Sequence, residues 1–273
     1  CGKCGASLAS DPARLMPGDL DHLRGYLSAT LVEALQFDLV SPPPHLLEQC
    51  LAHLSRLIDT TTSHLPAFVA DQVASDPIPG RTSGRFLQGA LLFADISGFT
   101  AMSERLSRIG REGAEEITAI VNRYFGVMLT ILQEFDGQLV KFGGDALLGL
   151  FLDPEGATRA AQAAMNMQAA MAGFAQVQTS QGVFPLRMKV GLRRGRFFAA
   201  QIGMPEDMEY ALFGADVNAT AVAESAAQAG QVLLDGETLA AVSAPCQATP
   251  LPDCEGYFTL EQIAGSTPVS SSP

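Results

Sequence analysis

Apolar residues in this chain recur at two spacings, and the switches between them mark out its elements. From Asp19 to Phe37 they fall at Leu20, Leu23, Leu27, Leu31 and Leu35, one face of an amphipathic helix. Ser41-Pro-Pro-Pro44 breaks that pattern, and further helices are predicted over His45–Ile58 and His64–Val73. Asp76-Pro-Ile-Pro-Gly80 through Ser83-Gly84 reads as a linker. Beyond it, Leu91–Ile96 is a short apolar run of the kind that forms a buried strand; Ser97-Gly98 turns the chain, and a helix follows from Ser103. The clearest helix is Glu112–Leu132, with Ile117, Ile120, Val121, Tyr124, Met128 and Ile131 in one stripe. Gln138–Phe142 and Ala146–Leu152 are strands joined tightly by Gly143-Gly144-Asp145. A second long helix is predicted over Thr158–Ala175.

Further on, Leu186–Leu192 and Arg196–Ile202 read as a hairpin around Arg193-Arg194-Gly195. Tyr210–Phe213 leads into the turn Gly214-Ala215-Asp216 and a helix over Val217–Gln228, and Val232–Leu234 and Gly256–Leu260 supply the last strands. The order β-α-α-β-β-α-β-β-α-β predicts an α+β fold, a ferredoxin-like antiparallel sheet with helices on one face, preceded by a helical extension.

Two of these apolar runs each deliver one carboxylate to a glycine-marked turn, Asp95 and Asp145. Either one alone has an ordinary reading as a helix cap or turn residue. Both together, at neighbouring strand ends, form an oxygen site suited to Mg²⁺, which takes one or two carboxylates plus substrate phosphates. The turn Ile96–Thr100 sets backbone N–H groups and a helix N-terminus beside them, a seat for a polyphosphate.

The segments FADISGFTAMSERL and LVKFGGDALLGLF resemble the catalytic core of class III nucleotide cyclases, the adenylyl and guanylyl cyclases. Within that family the chain is most similar to the first catalytic half of the soluble, bicarbonate-responsive adenylyl cyclases and their bacterial relatives, over about Phe86 to Ile263. The resemblance implies the ferredoxin-like fold and two Mg²⁺ or Mn²⁺ ions held by Asp95, Asp145 and the Ile96 carbonyl. It also implies a triphosphate held by the amides of Ile96, Gly98, Phe99 and Thr100, with Gly144 beside it. Lys141 matches the lysine that reads adenine, where guanylyl cyclases usually have glutamate, so the implied reaction is ATP to cyclic AMP and pyrophosphate.

Such cyclases share each site across a dimer, and here the chain departs from the pattern. In YALFGADVNATAVAES, Asn218 matches the asparagine that orients the ribose, but Val222 stands where the arginine belongs and Ala211 stands at the base-contact position. EGYFTLEQ also lacks the lysine often found entering the last strand. An arginine aimed at developing phosphate charge lowers the barrier by several kcal/mol, and valine has no charge to offer. The expectation is a metal-donating half-site, completed by a second cyclase domain. A silent ATP-binding regulatory domain is the alternative. A diguanylate cyclase fits less well, because Ala-Leu follows GGD where that chemistry uses Glu-Phe. A purely structural module would leave Asp95, Asp145 and Lys141 as an accident.

Composition narrows the picture further. A net charge of −12 argues against a nucleic-acid surface. Residues 160–186 carry no charge, but Gln, Asn, Ser, Gly and Pro interrupt them throughout, so no membrane span is expected. Five sparse cysteines do not make a disulfide framework and point to a reducing cytoplasm. Cys1-Gly-Lys-Cys4 is half of a zinc-ribbon knuckle with no second CxxC, so no functional zinc is expected. The start CGKCGASL and the end STPVSSSP fit an excerpt from a longer protein. The expected organisation is a ribbon remnant over 1–8, a helical extension and linker over 9–84, the cyclase domain over 85–264 and a flexible tail over 265–273.

Overall fold

A computed structural model describes residues 17–37, 41–62, 65–75, 78, 80–204, 207–252 and 254–266. The Cys1/Cys4 knuckle, His64, part of the linker and most of the tail lie outside these residues. The chain divides into two compact units, Cys1–Leu65 and Pro66–Pro273. In the first, α1 (Pro17–Leu23), α2 (Ala29–Phe37) and α3 (Pro44–Thr62) bury Leu20, Leu27, Leu35, Leu46 and Cys50 against one another. The single helix expected over Asp19–Phe37 is two helices, broken after Leu23 where Gly25 interrupts the pattern.

The second unit runs α4 (Ala67–Ser75), β1 (Ser83–Ser97), α5 (Phe99–Ser107), α6 (Arg111–Glu134), β2 (Gln138–Gly143), β3 (Ala146–Leu152) and α7 (Gly156–Ala170). It continues with β4 (Val177–Thr179), β5 (Gly182–Phe184), β6 (Arg187–Met204), β7 (Asp207–Phe213), α8 (Ala215–Ala226), β8 (Val232–Asp235), α9 (Gly236–Ala240), β9 (Cys246–Pro250) and β10 (Tyr257–Ile263). Eight strands form one sheet in the order β2-β3-β1-β6-β8-β10-β9, with β7 paired to β6. All the pairings are antiparallel except β6 with β8. The α+β class is therefore as expected, and β4 and β5 form a separate small hairpin.

Strand alternation explains the two faces. Ala90, Leu92, Ala94 and Ile96 of β1 and Met188, Val190 and Leu192 of β6 point into one core with α5, α6 and α7. Leu87 and Leu91 of β1, with Phe197 and Ala199 of β6, point to the other face, where Val69 of α4 packs. Helix α8 covers that second face too, so helices flank the sheet on both sides rather than one. It lies unusually close, because a Cβ on Gly191 would stand 2.3 Å from the backbone nitrogen of Glu224.

The hairpin expected around Arg193-Arg194-Gly195 does not form. β6 is one continuous strand of 18 residues, paired along β1 from Arg187 to Gln201. The Arg-Arg-Gly triplet resembles a turn, yet each member has a strand role. Arg193 meets carboxylates, Arg194 pairs with Asp153 at 2.7 Å, and Gly195 leaves room for the Asp216 side chain 2.3 Å from where a Cβ would be. β1 likewise starts at Ser83, so Ser83-Gly84 belongs to the strand and not to a linker. Among the described residues no helix is long and apolar enough to cross a membrane.

Candidate functional site

Asp95 sits near the end of β1, directly opposite Lys189 of β6. The β1–β3 register ends at Ala94 opposite Leu147, which sets Asp95 beside the turn that carries Asp145. That turn is a two-residue connection between Gly143 and Ala146. Gly144 takes its first position at φ 71° and Asp145 has no positive φ, as a type II′ turn requires. The charge of Asp145 reaches Asp95. Burial first, then the charges of Asp145 and Glu224, raise the Asp95 pKa, while Lys189 and the Ile96 N–H oppose the shift. Tyr124, buried in α6, also has its phenol pushed up, by burial and then by Asp95 and Asp145, and its hydroxyl donates to Met188 Sδ at 3.4 Å.

Immediately after the aspartate, Ile96 is buried and Gly98 turns the chain at φ 96° as the N-cap of α5. A Cβ on Gly98 would stand 2.7 Å from the Pro185 carbonyl oxygen, so glycine is required twice over. The helix therefore starts at Phe99, four residues before the expected Ser103. Phe99 is half-buried against the core, and Thr100 is exposed in the first turn. No side chain caps the start of α5, so its first amides have no side-chain acceptor, and Gly98 O accepts from Met102 N–H at 3.3 Å.

Lys141 is exposed on β2 opposite Leu148, after a register shift between Leu139 and Lys141 that buries Val140. Its neighbour Phe142 packs against Phe125 of α6 in a tilted pair, with ring centroids 4.3 Å apart. Asn218 is exposed in the first turn of α8, and Val222, 53% exposed, follows one turn later. Ala211 is half-buried in β7 opposite Ala200. Among the described residues no hydrogen bond or ion pair links Lys141 or Asn218 to the aspartates. The structure brings together Asp95, Asp145 and the Gly98 turn, and presents Asn218 and Val222 on an outer surface.

Two participants were not read from the sequence. Lys189 Nζ donates to Glu224 Oε1 at 2.7 Å and lies 3.8 Å from Asp95 Oδ2. The hydrogen bond to Glu224 is the first cause of its raised pKa. Lys189 is the one lysine of β6 and sits between the buried Met188 and Val190, and that placement was the available signal. Glu224 gave none, since a glutamate on an Ala-rich helix is unremarkable.

Among the described residues no group of three or more His, Cys, Asp or Glu side chains is arranged to hold an ion. A cation at this place would rest on two carboxylates, a main-chain carbonyl and oxygens from a substrate. That hard, incomplete donor set fits Mg²⁺ or Mn²⁺, and mutual repulsion of Asp95 and Asp145 favours a cation between them.

A family model described as adenylate and guanylate cyclase catalytic domain matches residues 83–257. Adenylate cyclase type 10 of Oryctolagus cuniculus is 30% identical over 182 residues, 66% of this chain and 11% of that protein. The chain thus spans about a tenth of the length of that relative. The adenylyl cyclase CyaB from P. aeruginosa superposes with a TM-score of 0.53 at 27% identity, covering 68% of this chain and 99% of that one. A dimeric guanylyl cyclase domain from the fungus Blastocladiella emersonii superposes at 0.56 and 21% identity, over 67% and 99%, and shares the fold.

Proposed function

The chain belongs to the adenylate and guanylate cyclase family, and from that premise we propose that it is the metal-donating half of an adenylyl cyclase site, its catalytic domain spanning 85–264. The observation that carries this reading is the pair Asp95 and Asp145, electrostatically coupled at the ends of neighbouring strands beside the Gly98-capped start of α5. The amides of Gly98, Phe99 and Thr100 hold the triphosphate, helped by the partial positive charge of the helix start. Asp95 and Asp145 would hold divalent cations, which would supply positive charge to activate the ribose 3′-hydroxyl and neutralise the polyphosphate. Ile96, through its carbonyl, and the two aspartates fix where that charge sits. The 3′-hydroxyl gives its proton to solvent, its oxygen bonds to the α-phosphorus, and the bond from that phosphorus to the oxygen bridging to the β-phosphate breaks to release pyrophosphate.

Lys141 favours ATP over GTP in this reading, because its exposed ammonium can donate to the adenine ring edge. Asn218 orients a ribose, and it faces outward, as a residue serving a shared interface must. A second cyclase domain, on the same protein or another chain, supplies the arginine that Val222 lacks. The free cysteines Cys50, Cys246 and Cys254 suit a reducing cytoplasm.

The test is cyclic AMP formation from Mn²⁺-ATP by the chain alone and mixed with an arginine-bearing second cyclase domain. Activity confined to the mixture and lost with Asp95→Ala is the expected result. Val222 favours a second reading, a silent regulatory domain that binds ATP without turning it over. That reading predicts retained ATP binding and no product in either sample.

A further inference from the structure

Glu224 is a carboxylate, 5% exposed, that the chemistry above does not use. It hangs from the inner face of α8 and reaches the site because Gly191 has no side chain. A Cβ there would stand 2.3 Å from the Glu224 nitrogen and 2.6 Å from the Thr220 carbonyl oxygen. Its partner Lys189 is held unequally between two acids, at 2.7 Å from Glu224 and 3.8 Å from Asp95. Reach does not explain the difference. Asp95 and Lys189 are directly opposed in the β1–β6 register, so their side chains leave the same face about 5 Å apart. The nearer, more buried carboxylate holds the ammonium. An ammonium in contact with Asp95 would occupy the position a divalent cation needs and would neutralise the charge that attracts it.

We propose that Glu224 is a positioning residue: by holding Lys189 it keeps the ammonium off Asp95 and leaves the Asp95–Asp145 pair open to a divalent cation. This rests on the metal reading above and assigns Glu224 and Lys189 a part in it. Two carboxylates around one lysine divide its charge between them, and the balance sets how much of Asp95 remains available.

The experiment is Mn²⁺ binding by the intact chain without nucleotide, followed by the electron paramagnetic resonance of the free ion, in a double-mutant cycle. Glu224→Gln should weaken Mn²⁺ binding about tenfold, because Asp95 then becomes the favoured acid for Lys189. In the Lys189→Met background the same exchange should change affinity by less than about threefold. Equal weakening in both backgrounds would mean that Glu224 acts through its own field or through the fold, and would overturn the proposal. So would unchanged affinity in Glu224→Gln. A purely structural Glu224 would lower the unfolding midpoint without this coupling. Should Glu224→Gln fail to fold, Glu224→Asp decides, since its shorter side chain loosens the hold on Lys189: a weakening of Mn²⁺ binding that disappears in the Lys189→Met background supports the proposal, and unchanged binding overturns it. If the unaltered chain binds no Mn²⁺, the metal reading falls and the proposal with it. If it binds Mn²⁺ and the cycle shows no coupling, only the proposal falls.

Discussion

Burial and the charges of Asp145 and Glu224 raise the Asp95 pKa, so the folded protein carries a cost for ionising this side chain. The sign follows from linkage. A carboxyl whose folded pKa exceeds its unfolded one costs nothing below the unfolded value. The cost grows as pH rises through the interval and is complete above the folded value. Asp95→Asn should therefore raise the thermal midpoint near neutral pH, on the order of 2 °C. The gain should vanish below about pH 4, where the native side chain is protonated as well. Calorimetry of both proteins across that range checks it, and a midpoint lowered at neutral pH would contradict the account. The same exchange removes a proposed metal ligand, so stability and activity should move in opposite directions. Asp95 and Asp145 were legible in the sequence because each lies beside its own turn signal, Ser97-Gly98 and Gly143-Gly144. Lys189 and Glu224 were not, because their meeting depends on how closely α8 lies on β6, a tertiary fact carried by Gly191.

That approach of helix to strand is testable in its own right. Gly191→Ala places a Cβ against the backbone of α8, where neither the Glu224 nitrogen nor the Thr220 oxygen can move without shifting the helix. The expected cost is about 2–3 kcal/mol, read from urea unfolding. Arg193 gives a second handle on the same element. Its guanidinium donates to Asp216 at 3.0 Å and to Glu237 at 2.9 Å and also pairs with Asp235, so one side chain ties the start of α8 to β8 and α9. Arg193→Met strands partly buried carboxylates and should cost about 3 kcal/mol. It should also loosen the turn that presents Asn218, visible as faster amide exchange in the first turn of α8. The sequence suggested a hairpin here because arginines and a glycine usually mark exposed turns. The strand is continuous because each of the three has a long-range partner, which periodicity does not contain. The long amphipathic helix α6 and the β2–β3 hairpin were legible, because their signals are local and the residues that form them are adjacent.

At the scale of the whole molecule, the two surfaces of the second unit are unequally equipped. One end of the sheet gathers Asp95, Asp145 and the start of α5, while the outer face of α8 offers Asn218 and then an exposed valine. If the missing charge at Val222 is what confines the chain to half a site, supplying it should make the chain act on its own. Val222→Arg is a mild change for the fold. The position is 53% exposed, arginine is a better helix former than valine, and surface exchanges of this kind stay within about 0.5 kcal/mol. Aimed across a pair of identical chains, the new guanidinium would meet the phosphate charge that develops at the partner's aspartates. Cyclic AMP formation by the chain alone should then rise at least about a hundredfold. The gain should depend on Asp95 and should rise with protein concentration, as a site shared between two copies requires. Ala211 still lacks a polar group for the base, so the gain should appear with weakened discrimination between ATP and GTP. A Val222→Arg chain that folds, binds ATP and makes no product would instead place the block elsewhere than the arginine and favour the silent regulatory domain.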